Sequence, residues 1–312
     1  MKNFSFFRAL LLGLIIIPAV QGMDSSSSPS SETTDVTTYR SNLKNHINEK
    51  IARYVQLKQQ QVPKNSSLSV ALGYGKGKDT SSEAPGSSRS ESLTVGVDTS
   101  HEKWGFGVSL GETYSVSRSF LTPPGKTSGY STALQPYLSY QLSPYMNIFG
   151  AVGITYSDSH SISQSEVSNA HLISQSYMES IGTLFMLPVV HETILPTFRV
   201  STTRSDSKTN SYIWAGTYNP RTTSHQQTVD PTLRVTFLSL DNFVPYIEYG
   251  PHWVVHRSSR STNEPLKVGQ TFAGGGTISL PNDYKIGFSY ARDILTTPGY
   301  RDYFSVQLSR SF

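Results

Sequence analysis

Arg199, Arg234, Glu248 and Lys285 lie within segments that otherwise alternate between apolar and polar residues. Charges at the polar positions of such segments point into whatever the segments enclose. There, three cations and one carboxylate would pair with a plug or set ion selectivity. His252 and His256 form a second group able to do chemistry, and at first sight they suggest a metal site. On a strand, however, four residues span about 13 Å, too far for one ion with ligand bonds near 2 Å. No metal ligand is assigned. Serine is too abundant for any single one to mark a nucleophile. The sequence holds no Gly-x-Ser-x-Gly, no His-x-Ser-Asn-Gly and no His-Glu-x-x-His. His191 has only Glu192 as an acidic neighbour. The residues therefore read as those of a non-enzyme without a cofactor.

The segments that carry these charges must come from a chain of 312 residues with no cysteine and 15% charged residues. A disulfide scaffold and a cysteine-based zinc site are excluded. No second long apolar run follows the first, which excludes a helical polytopic membrane protein. Eighteen tyrosines and fourteen phenylalanines recur through most of the chain, too many for general disorder. Lys2 and Arg8, the apolar run 9–20 and the small or tolerated residues Val20-Gln21-Gly22 have the layout of a signal peptide over 1–22. Its two basic residues supply half of the formal net charge of +4. No basic cluster with interleaved aromatics exists, so nucleic acid is not an expected partner.

Residues 23–34 are Ser-rich and predict a disordered tail. Residues 35–63 predict an amphipathic helix: Tyr39, Leu43, Ile47, Ile51 and Val55 recur every four residues, and Pro63 stops the run. Its other face carries Arg40, Lys44, Lys50 and Arg53. Over 64–312 the period becomes two, and about twelve strands are predicted, with 174–187 the least regular. Short turns near 100–102, 142–144, 188–192, 239–242 and 281–283 alternate with long polar stretches at 76–89, 120–128, 158–171, 205–225, 257–265 and 295–300. A soluble sandwich has no reason for that alternation. An outer-membrane β-barrel has one, because its periplasmic turns are tight and its surface loops long. The predicted fold is all-β, a closed antiparallel transmembrane barrel of about twelve strands plus one N-terminal helix. Tyr140, Tyr145, Phe243, Tyr284 and Phe312 would form the inner aromatic girdle; Tyr74, Tyr156, Tyr249, Trp253 and Tyr300 would form the outer one. Pro136, Pro196, Pro231 and Pro245 resist this account, since proline interrupts a ladder.

Those prolines open a recurring hexad: Gln-Pro-Tyr-Leu-Ser-Tyr at 135–140, Leu-Pro-Thr-Phe-Arg-Val at 195–200, Asp-Pro-Thr-Leu-Arg-Val at 230–235 and Val-Pro-Tyr-Ile-Glu-Tyr at 244–249. With a closing strand that ends in Phe312, the pattern over 36–312 resembles the C-terminal translocator barrel of autotransporters. The resemblance implies a helix threading a twelve-stranded lumen. Two features depart from it. Arg310 stands where an apolar lipid-facing residue is expected, and only about a dozen Ser-rich residues hold the place of a large passenger.

Small residues at inward positions leave room in the lumen: Ser67, Ser69, Ala71 and Gly73, then Thr94 and Gly96, then Gly105, Gly107, Ser109 and Gly111. A helix needs about 10–12 Å. The alternative places the helix in the periplasm with its apolar stripe on a partner. The expected protein is a bacterial outer-membrane barrel with both termini periplasmic, surrounded by lipid and inserted by the barrel-assembly machinery. Its role is structural or transport-like, with the pore plugged by the helix. A small anion-leaning diffusion channel is the second reading. A surface adhesin acting through 205–225, with Tyr212, Trp214 and Tyr218, is the third.

Overall fold

The computed structural model describes residues 66–80, 85–120, 125–163, 169–187, 193–214, 217–238, 242–259, 268–294 and 299–312. The signal peptide expected at 1–22, the tail at 23–34 and the helix at 35–63 lie outside the described residues.

Period-two alternation becomes strand along nearly the whole described chain. The strands are β1 (Ser66–Asp79), β2 (Gly86–His101), β3 (Trp104–Ser119), β4 (Gly125–Ser143), β5 (Met146–Ser163), β6 (Asn169–Met186) and β7 (Ile194–Thr209). A small hairpin of β8 (Tyr212–Trp214) and β9 (Thr217–Asn219) follows. The wall then resumes with β10 (Thr222–Phe237), β11 (Phe243–Ser259), β12 (Val268–Ser279), β13 (Tyr284–Ile294) and β14 (Gly299–Ser311). Twelve of these strands close into one antiparallel barrel, with β7 beside β10 and β1 beside β14. The seam is paired along its full length, from Ser67 opposite Ser311 to Asp79 opposite Gly299. The Ser66 and Phe312 backbones extend it by exchanging hydrogen bonds of 3.3 and 3.0 Å.

The strand pleat sorts the side chains. Val70, Leu72, Phe106, Val108, Val152, Ile154, Ile247, Val306 and Leu308 face outward and are exposed. Ser67, Ser69, Ser109, Thr155, Ser157, Thr228 and Thr232 face inward and are buried. An apolar exterior over a polar interior is the reverse of a soluble protein and suits a hydrocarbon surround. Aromatic residues border the apolar band. At the short-turn end Trp104 and Tyr140 are 4.5 Å apart between ring centroids, and Phe243 lies 5.7 Å from Phe288. At the other end Tyr114 lies 4.9 Å from Tyr130, and Tyr249 lies 5.0 Å from Phe272. Gly276 carries no side chain because the Phe243 ring lies where its Cβ would be. Arg310 is accommodated at this border: its guanidinium sits 5.1 Å from the Tyr284 ring centroid.

Two expectations are corrected. The stretches read as long loops include strand ends: β1 and β2 pair up to Asp79 opposite Gly86, and β5 and β6 up to Ile162 opposite Asn169. Most of their outward residues are polar, so the hydrophobic alternation fades before the strand ends. The strand expected over 174–187 is present as part of β6, which ends at Met186. The stretch 205–225 contains strand ends and the β8–β9 hairpin. Pro136 and Pro231 are tolerated because they point outward at gaps in one of their two ladders, and Pro196 and Pro245 because they lie just past the last paired residue on one side. Between β10 and β11, pairing stops after Val229 opposite Trp253 and resumes at Leu233 opposite Tyr249. That gap sets Pro231 across from Pro251, two residues with no N–H to offer. Between β4 and β5 the pairing likewise skips Gln135 and Pro136.

If the apolar band is the lipid surface, Ile154→Arg, in the middle of β5, should destabilise the barrel in bilayers by about 2–4 kcal/mol. Urea unfolding of the barrel refolded in lipid vesicles measures this, and Ser157→Thr on the lumen side should leave the midpoint nearly unchanged.

Candidate functional site

The lumen wall is built from the inward faces of all twelve strands, and most of its side chains are hydroxyls. These hydroxyls solvate the charges set among them. Ser67 Oγ donates to Asp98 Oδ2 at 2.8 Å, Thr228 Oγ1 to Asp230 Oδ2 at 3.2 Å, and Thr271 Oγ1 to Asp293 Oδ1 at 2.5 Å. A buried carboxylate needs such donors, since desolvation alone would neutralise it.

Three of the four charges singled out in the sequence converge. Arg234 on β10 and Glu248 on β11 are direct cross-strand partners. Arg234 Nε and Nη2 both donate to Glu248 Oε2, at 3.1 and 2.9 Å. Arg199 on β7 approaches the other oxygen, with Nη2 3.7 Å from Oε1, and donates to Thr232 Oγ1 at 3.1 Å. The Arg234 guanidinium also stacks on Tyr246, 3.8 Å from the ring centroid. The side chains of Arg199, Arg234 and Glu248 are only 7, 5 and 3% exposed. One carboxylate thus holds two guanidiniums in a nearly dry setting, where the attraction is strong and the desolvation cost is large. Lys285 does not join them. The hydrogen-bonded row through Glu248 runs to Ala273 and on to Ala291, six residues along β13 from Lys285. That distance is about 20 Å.

Sequence reading missed two features of the lumen. Asp98, Asp230 and Asp293 are buried inward carboxylates, and Arg301 lies directly opposite Asp293. Their parity in the alternation could have revealed them. The second is apolar: Phe149, Leu184 and Leu195 form a buried cluster with Leu238 against it, and Ala151 and Met178 form another beside Tyr137. They occupy inward positions near the short-turn end, where a strict polar-in rule predicts hydrophilic residues. The histidine pair is resolved by backbone geometry. Pairing slips between Gln227 opposite His256 and Thr228 opposite Val254, which leaves Val255 as a bulge. The bulge turns His256 to the exterior, while His252 faces the lumen beside Gly269, whose missing Cβ makes room for its ring. The two imidazoles lie on opposite faces of the wall.

Breaking the ion cluster should cost more than deleting it. Glu248→Ala leaves two buried guanidiniums facing each other and should destabilise the barrel by about 3–5 kcal/mol. The triple variant Arg199→Met, Arg234→Met, Glu248→Met should unfold nearer to the parent. Denaturant titration read by the folded and unfolded bands on cold gels compares them.

No protein-family model matches the sequence, and no curated protein does. Solved structures match it by shape. The translocator domain of the autotransporter NalP from Neisseria meningitidis aligns with 87% of this chain and 98% of its own, at TM-score 0.70 and 12% identity. The β domain of the Bordetella autotransporter BrkA aligns with 80% of this chain and 100% of its own, at TM-score 0.64 and 13% identity. An outer membrane channel from Pseudomonas putida F1 aligns with 81% and 97%, at TM-score 0.58 and 11% identity. Over most of its length, the chain has the twelve-stranded outer-membrane β-barrel fold of autotransporter translocators.

Proposed function

We propose that this barrel is a translocator-type pore of the bacterial outer membrane, closed by its own helix over residues 35–63. One observation carries the reading: the lumen wall offers both surfaces that such a helix needs. The apolar patch of Phe149, Leu184 and Leu195 matches the stripe of Leu43, Ile47, Ile51 and Val55. The inward carboxylates Asp98, Asp230 and Asp293 match the face bearing Arg40, Lys44, Lys50 and Arg53. The Arg199–Glu248–Arg234 cluster braces β7, β10 and β11 against one another, and Lys285 adds a cation on β13. The lumen wall also has little free solvent surface, with Ser131, Thr197 and Thr228 each about 1% exposed.

In this reading the signal peptide 1–22 exports the chain and the assembly machinery of the outer membrane inserts it. The short turns and both ends of the chain then face the periplasm. The role is structural or transport-like, and we assign it no catalysis. The likeness to a Pseudomonas outer membrane channel favours a diffusion channel as the second reading. In that reading the channel would lean toward anions through Arg199, Arg234 and Lys285; among the described residues, Asp98, Asp230 and Asp293 are the inward carboxylates that would oppose this. The exposed Ile213 and Tyr218 of the β8–β9 hairpin are the surface that the adhesin reading would use.

Single-channel recording in planar bilayers separates these readings. The full mature chain should be nearly silent, and a version lacking residues 36–62 should give a steady open pore. Equal conductance of the two would place the helix outside the lumen and favour the channel.

A further inference from the structure

We propose that Asp158, His160 and His171 bind one divalent transition-metal ion of the zinc class on the outer wall of the barrel, at its long-loop end. His160 on β5 and His171 on β6 are directly opposed across an antiparallel pair. Both point outward. Their rings are parallel to within 8° and 4.7 Å apart between centroids. Asp158, two residues before His160, shares that face; its Oδ1 lies 2.7 Å from His171 Nε2 and 4.0 Å from His160 Nε2. Among the described residues this is the one trio whose ligand atoms all lie within 4.8 Å of one another.

Those distances suit a metal. Zinc bonds to imidazole nitrogen and carboxylate oxygen at about 2.0–2.2 Å, so tetrahedral donors stand roughly 3.3–3.6 Å apart. The present separations bracket that range, and a modest turn of Asp158 away from His171 would equalise them. Two imidazoles and one carboxylate select zinc, copper or nickel over magnesium and calcium, which require all-oxygen shells. Three protein donors leave a fourth position for water or an external ligand.

The frame is rigid and accessible. The donors stand on paired strands, with Ser128 of β4 opposite His160 on the other flank. Asn210 ties down β6 by accepting from the Ile173 N–H at 2.7 Å and donating to the His171 carbonyl at 3.4 Å. The trio lies beyond the outward Tyr156 and Tyr177, toward the long-loop end, with the exposed Ile162 two residues further along β5. Its side chains are 65% (His160), 49% (His171) and 46% (Asp158) exposed, so an ion would reach it from water. Another hydrogen-bonded imidazole at this end, His225 with Asp206 at 2.6 Å, has no third ligand within reach among the described residues. The site is independent of what the lumen does. In the sequence the two histidines stand eleven residues apart, and only the β5–β6 register makes them neighbours.

The test is calorimetric titration of zinc chloride into the full mature barrel, refolded in detergent without a histidine tag. Saturable binding of one ion is expected. His160→Gln and His171→Gln should each weaken it by more than about tenfold, the loss already typical of removing an outer-shell partner. His225→Gln should bind as the parent does. Copper(II) substituted for zinc should show two nitrogen ligands by electron paramagnetic resonance. Unchanged gel mobility of the folded band controls for folding, since both histidines are exposed. No saturable zinc binding, or binding by His171→Gln as tight as the parent's, would overturn the site.

Discussion

Backbone pairing with no edge governs this molecule. A wall bathed in hydrocarbon has no water to satisfy a stray N–H or C=O, so each strand needs a partner on both sides. The β1–β14 seam meets that demand, in continuous register over thirteen residue pairs and with terminal hydrogen bonds between Ser66 and Phe312. Once the wall is closed, the pleat leaves each side chain only two choices, out or in. Most other properties of the barrel follow from that division. The interruptions at Pro231 and Pro251 show its tolerance: proline is admitted where it faces proline across a gap in the ladder.

Closure also fixes what the interior must be. Inward side chains face one another across a narrow space, so charges placed there are drawn out of water. The wall handles this by pairing and by hydroxyls. Glu248 serves two guanidiniums, Tyr246 supplies an aromatic face to one of them, and serines and threonines bind the aspartates. The apolar cluster of Phe149, Leu184 and Leu195 departs from the polar-in rule. Such a departure makes sense if something with an apolar face lies against it, which a simple water-filled channel would not provide.

The exterior changes character along the strands. Near the short turns, aromatic rings and Arg310 mark one border of the apolar band; beyond Tyr156 and Tyr177, β5 and β6 carry Asp158, His160, His171 and Gln175 outward beside Ile162 and Ile173. The hydrogen-bonded wall therefore extends past the membrane as a stiff polar collar. Stiffness of that kind allows His160, His171 and Asp158 to hold a fixed geometry in open water.

The class of the protein is legible in the sequence. Period-two alternation, alternating turns and polar stretches, and the closing Phe312 imply a closed barrel, because only that arrangement satisfies both the backbone and the lipid. It also placed Arg199, Arg234 and Glu248 inward, since parity along a strand is local. It could not set strand ends, where outward residues become polar yet pairing persists, and so the polar stretches at 76–89 and 158–171 read as loops. Nor could it foresee the bulge at Val255, which reverses parity and sends His256 outside. Which inward charges meet, and that Lys285 stands apart from the other three, was decided only by register between strands. The opposition of His160 and His171 was decided in the same way. Register is fixed by the sum of many cross-strand contacts around the closed ring, and no single segment of the chain carries that information.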